Sequence, residues 1–95
     1  MAVLVDPLRE YPDTGLPFRS WSHLVSDESF EELHAFAAGL GLKRAWFQER
    51  EAAPWKGHYD IPQELRADAV AAGAVEVDLR HVATHLRARR ARMRG

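Results

Sequence analysis

Ala2-Val3-Leu4-Val5 closes on Asp6-Pro7. Four consecutive apolar residues suit a short strand buried on both faces, and proline, which brings no N–H to a ladder, stops it. A carboxylate at the exit of such a strand is costly unless something pairs or uses it. Asp6 is therefore the first candidate site residue.

Outward from this strand the chain alternates. Residues 7–22 hold Pro7, Pro12, Gly15 and Pro17 without a sustained period and read as a long irregular connection, a kind of segment that often carries function. Ser29 with Glu32 forms a capping box, Asp27 being a rival cap, and Phe30, Leu33, Phe36, Ala37 and Leu40 then recur at helical spacing until Gly39 and Gly41. Arg44-Ala45-Trp46-Phe47-Gln48 reads as a second strand, and residues 49–58, with Pro54 and Gly57, as a second loop. Asp60-Ile61-Pro62 offers a cap for a helix through Leu65, Ala69 and Val70 to Gly73. Val75, Val77 and Leu79 alternate with acids as a third strand, after which Asp78 caps a last, arginine-rich helix. The order βαβαβα predicts an α/β fold with a small three-stranded parallel sheet and three helices, its ligand site beyond the carboxyl ends of the strands.

Composition narrows the function classes. At 95 residues the chain has the size of one domain, read as a single α/β domain over 1–86 followed by an arginine-rich helix end or tail at 87–95. The absence of cysteine removes disulfides, thiolate nucleophiles and cysteine-type zinc sites. No apolar run approaches a membrane span and Asp6 interrupts any signal-peptide core, so the expected location is cytoplasmic. Charge is divided unevenly: residues 1–79 hold 7 basic and 14 acidic side chains, whereas residues 80–95 hold six arginines and no acid. Arg87, Arg89, Arg90, Arg92 and Arg94 suit either a nucleic-acid backbone or an acidic partner, or serve only as the solvated, dipole-compensating end of a helix.

The two long connections carry most of the residues able to do chemistry. Asp6, His23 and His58 are the candidate catalytic groups; Gln48, Tyr59, Trp21 and Arg19 are candidate ligand contacts; and Asp6, His23, His58 and Asp60 could hold a divalent metal. His58 and Asp60 are two apart, so an extended backbone sends both side chains to one side. Imidazoles with carboxylates suit zinc, iron or manganese, and equally suit general acid–base work. Asp60 has a second reading as a helix cap, His34 as a satisfied core-edge histidine, and His81 with His85 as solvent-exposed neighbours. Trp21, Trp46 and Trp55 read more readily as packing or wall residues. HExxH, GxxxxGK[ST] and GxSxG are all absent, so no template for peptide or nucleotide hydrolysis is present.

The opening Met1-Ala2-Val3-Leu4-Val5-Asp6, with Trp21-Ser22-His23-Leu24, Glu32-Leu33-His34, Phe36-Ala37, Leu40-Gly41-Leu42, Trp46-Phe47-Gln48, His58-Tyr59-Asp60 and Ala72-Gly73-Ala74-Val75, is similar to the small bacterial and phage family of domains of unknown function numbered 4031. The likeness runs from residue 1 to about the third strand, with Leu4 standing where relatives often show an aromatic residue and the arginine tail outside the pattern. It implies a small stand-alone domain and no particular reaction.

Two functions follow as expectations. One is a small enzyme or ligand-binding domain with a polar site, with or without a divalent metal; as an enzyme it would hydrolyse a phosphate-containing or nucleic-acid-derived substrate, a metal or histidine activating water and Arg19 or a helix N-terminus holding the anion. The other is a non-catalytic module meeting nucleic acid or an acidic partner through its last helix. A homodimer across uncovered sheet edges is compatible with both.

Overall fold

Residues 2–10 and 20–94 are described by a computed structural model of the chain. β1 (Val3–Val5) is the buried strand expected from its apolar run. β2 (Arg9–Glu10) and β3 (Ser20–Ser26) follow, then α1 (Phe30–Gly39), a 3-10 turn (Arg44–Trp46), β4 (Gln48–Arg50), β5 (Ala53–Pro62), α2 (Gln63–Ala71), β6 (Val75–Glu76) and α3 (Leu79–Arg94). The strands form one mixed sheet in the order β4-β5-β3-β1-β6, with β2 as a further partner of β3. β1 with β3, β3 with β5, β4 with β5 and β2 with β3 are antiparallel, and β1 with β6 is parallel.

This corrects the expected three-stranded parallel βαβαβα sheet. Two segments read as loops are strands. Trp21 to Ser26 alternates between faces, burying Ser22, Leu24 and Ser26 on one side, although the prolines upstream suggested an irregular continuation. β5 contains both Pro54 and Gly57, which ordinarily interrupt strands. Pro54 lies outside the section paired to β3, which covers Tyr59 to Pro62, so no ladder bond to β3 is lost there. Asp60 is consequently a strand residue facing His23, and the α2 cap is Pro62. Arg44–Trp46 is a helical turn, and the second expected strand begins only at Gln48.

The helical readings hold more closely. Ser29 accepts the Glu32 amide at 3.0 Å as the α1 cap, and Asp78 Oδ1 accepts the His81 amide at 2.8 Å at the start of α3. α3 runs without a break past residue 86 to Arg94. Val3, Val5, Leu24, Tyr59 and Ile61 pack against α1 and α2 through Leu33, Ala37 and Ala69. On the opposite face, Leu4 and Val25 meet Val82 and Leu86 of α3. Among the described residues, no helix is long and apolar enough to cross a membrane.

Candidate metal centre

His23 lies two residues from Val25 on β3, so it faces the α3 side of the sheet. The antiparallel register sets it directly opposite Asp60, and His58 and Lys56 share that face of β5 by alternation. Asp6 is 1 % exposed, just beyond β1. Its Oδ1 accepts the His23 amide at 2.6 Å and its Oδ2 accepts His23 Nδ1–H at 2.7 Å. His58 Nδ1–H donates to the Lys56 carbonyl at 2.7 Å.

These partners determine both tautomers. A carboxylate and a carbonyl can only accept, so each Nδ1 carries the proton, and a neutral ring then presents an unshared pair at Nε2. His23 Nε2 lies 3.6 Å and His58 Nε2 3.2 Å from the same oxygen, Asp60 Oδ1. The other Asp60 oxygen accepts Gln48 Nε2–H at 2.6 Å, which turns Oδ1 toward the rings. The rings stand edge to face, their centroids 5.0 Å apart. Three electron-rich atoms within 4.8 Å of one another repel unless protons or a cation lie between them.

The ionisation equilibria follow from this crowding. Burial disfavours the His58 imidazolium, but the Asp60 carboxylate and the Lys56 carbonyl outweigh it, and its pKa lies above the usual value of 6.5. Burial likewise disfavours the Asp60 carboxylate, yet His58 and the Gln48 amide hold its pKa below 3.8.

The structure thus joins Asp6, His23, Gln48, His58 and Asp60 through direct contacts. They meet on a sheet face through antiparallel pairing, and only Asp6 stands at a strand's carboxyl end. Trp21 lies on the cluster's face of β3, half-buried, two residues from His23. Tyr59 faces the opposite way, 1 % exposed, its hydroxyl 2.7 Å from His34 Nδ1. Arg19 lies outside the described residues. Sequence reasoning missed Arg66, whose Nε donates to the Asp6 carbonyl at 3.1 Å while Nη1 pairs with Glu76 at 2.8 Å. Sixty positions separate Arg66 from Asp6, and no local pattern announces the contact.

Elsewhere the histidines and arginines are mostly structural. His85 Nε2 and Arg89 Nη2 both donate to the Ser26 carbonyl. Arg89 is 5 % exposed and lies over Phe30, and Arg90 lies over Trp55. Burial, with Arg89 beside it, lowers the His85 pKa. Burial, with Arg92 beside it, lowers that of Arg89. A separate cleft of about 460 Å3 on the Tyr59 side is lined by Phe30, His34, Arg44 and Phe47 among others.

Fold and cluster together define a small mixed α/β domain bearing two imidazoles and one carboxylate on an open sheet face. The chain belongs to the family described as "Protein of unknown function (DUF4031)", whose model matches residues 3–89. That span continues beyond the third strand into the arginine-rich helix, further than the sequence resemblance reached. Neither the curated proteins nor the solved structures yield a match.

Proposed function

We propose that His23 Nε2, His58 Nε2 and Asp60 Oδ1 bind a divalent transition metal and that the centre serves hydrolysis of a phosphate ester. The convergence on one carboxylate oxygen of two Nε2 atoms, each on a ring whose Nδ1–H already has its own acceptor, carries this reading. Ligand atoms about 2.05 Å from a tetrahedral ion stand on the order of 3.3 Å apart. The 3.2 and 3.6 Å separations found here bracket that spacing. Two histidines and one carboxylate suit zinc or ferrous iron and leave positions for water and substrate. The remaining contacts are those of a supporting shell: Asp6 fixes the His23 tautomer, the Lys56 carbonyl that of His58, and Gln48 the Asp60 carboxylate. Asp6 has both oxygens committed to His23, so it orients a ligand rather than acting as one.

A bound ion supplies Lewis acidity toward water and toward an ester oxygen. The phosphate reading draws support from α2, which begins three residues beyond Asp60 with Pro62, a residue without a side-chain donor or acceptor, as its cap. Its first-turn amides have no side-chain cap, and a helix N-terminus suits an anion, with Glu64 as the opposing charge in that turn. The test is addition of Zn2+, Mn2+ or Co2+ to chelator-treated protein, followed by assay on a phosphodiester. At about 100 times the dissociation constant the ion should add roughly 2.7 kcal/mol of stability. His58→Ala and Asp60→Ala should abolish both the shift and the hydrolysis. A wild-type melting temperature indifferent to all three ions would overturn the metal reading.

A further inference from the structure

The cleft of about 460 Å3 lies on the Tyr59 side of the sheet, opposite the metal-ligand cluster, and its volume is that of a small-molecule site. Phe30 and His34 stand one helical turn apart at the start of α1, and Arg44 of the 3-10 turn and Glu49 of β4 also line the cavity. Packing fixes its apolar wall. Phe30 and Phe47 meet edge to face with centroids 5.4 Å apart, both rings close on Gly57, and the buried Arg89 lies over Phe30. Tyr59 is 1 % exposed, and among the described residues its hydroxyl has one hydrogen-bond partner, His34 Nδ1 at 2.7 Å. A buried O–H without an acceptor is costly, so the phenol donates and Nδ1 accepts. The neutral ring then carries its proton on Nε2, which has no acceptor among the described residues. Burial, and then the Arg44 charge, lower the His34 pKa and favour that neutral ring, while Glu49 acts in the opposite sense. Both charges thus lie within electrostatic range of His34. Opposite charges in one cleft gain by pairing, yet among the described residues Arg44 forms no ion pair with Glu31 or Glu49.

We infer that this cleft binds a free α-amino acid with an apolar side chain, its carboxylate on Arg44 and His34 Nε2–H, its ammonium on Glu49 and its side chain against Phe30 and Phe47. A zwitterion bridges the separated Arg44 and Glu49, so that each charge gains a partner. The planar guanidinium fork matches a carboxylate, and the His34 N–H adds a second donor to it. Glu31, a further acid at the cleft, opposes a ligand that carries negative charge alone. The aromatic wall takes the apolar side chain out of water. This assignment does not depend on the metal reading, since none of its residues is a proposed metal ligand.

The experiment titrates the full, chelator-treated chain with L-leucine and follows the ring resonances of Phe30, His34 and Phe47 by NMR. It is repeated with L-leucinamide, which lacks the carboxylate, with N-acetyl-L-leucine, which lacks the ammonium, and with L-serine, which lacks the apolar side chain. Each of these three should bind about tenfold more weakly than L-leucine or worse, the loss expected of one charge-assisted contact or one buried side chain. Arg44→Gln should weaken L-leucine about tenfold and leave L-leucinamide unchanged, because that ligand has no carboxylate to lose. Glu49→Gln should weaken L-leucine about tenfold and leave N-acetyl-L-leucine unchanged. Both residues are exposed, so these variants keep the fold. Absence of L-leucine binding at about 10 mM would overturn the inference. So would equal affinity for L-leucine and its three analogues, or L-leucine binding indifferent to both substitutions.

Discussion

The carboxylate of Asp6 grips His23 twice, at its backbone amide and at Nδ1, with distances of 2.6 and 2.7 Å. One buried side chain thereby holds both the strand and the ring of a residue 17 positions away. An asparagine in its place offers a single acceptor oxygen, and its NH2 group opposes one of the two His23 N–H groups. The ring can then shift its proton to Nε2, the atom facing Asp60. Asp6→Asn should therefore lower metal affinity by about 10- to 100-fold. Asp6→Ala should also destabilise the fold by about 1–3 kcal/mol, because the His23 amide loses its acceptor. Calorimetric titration and chemical denaturation check the two effects. Wild-type zinc affinity in Asp6→Asn would remove Asp6 from the site.

The His58–Asp60 pair gives the metal-free protein a pH signature. The raised His58 pKa makes its contribution complete below 6.5, and that contribution is lost as pH rises through the higher folded value. The lowered Asp60 pKa makes its contribution complete above 3.8 and lost as pH falls through the lower folded value. The pair is thus most stabilising between these limits. In Asp60→Asn the decline above 6.5 should disappear from the pH dependence of urea denaturation. Metal binding should show the reverse trend and tighten as His58 loses its proton.

Much of this arrangement was legible because local chemistry specifies it. The apolar run at Val3–Val5, the Ser29 cap with its helical period, and the Asp78 cap all became the elements their residues suggest. His58 and Asp60 also proved to share one side of an extended backbone, as their spacing implied. The sheet topology was not legible, because Pro54 and Gly57 carry the same local signal whether they end a strand or sit within one. What decides between these is tertiary: Pro54 lies outside the section of β5 paired to β3, and Gly57 lies under two aromatic rings. The arginine helix shows the same limit, since composition could not distinguish the buried Arg89 from the exposed Arg87.

Arg89 and His85 share the Ser26 carbonyl, which ties α3 to the end of β3. Lysine cannot reproduce the flat contact on Phe30 together with the donation to Ser26, so Arg89→Lys should cost about 1.5–3 kcal/mol. Burial and then the Arg89 charge lower the His85 pKa, so the neutral ring's contribution is complete above 6.5 and lost as pH falls through the folded value. Arg89→Met removes that charge while keeping apolar bulk. The His85 pKa should move back toward 6.5 in an NMR titration of its ring protons. An unmoved titration would mean that Arg89 does not act on His85 electrostatically.

Gly57 connects packing to the proposed centre. A Cβ at this position would collide with Phe47 Cζ and stand 2.9 Å from Phe30 Cε1, so at least one ring must move. Phe47 also packs edge to face against His34 and Phe30, and displacing it breaks those contacts. Overpacking of this kind costs about 1–3 kcal/mol, which is the destabilisation expected of Gly57→Ala. The next residue after Phe47 is Gln48, whose amide holds the Asp60 carboxylate. Movement of the ring should draw that amide away, so Gly57→Ala should weaken metal binding although residue 57 touches none of the three ligands' donor atoms. Phe47→Ala makes room for the new methyl group. In a double-mutant cycle the pair should therefore be less destabilised than the sum of the single changes. Strict additivity in denaturation would show that the added methyl group does not act through Phe47.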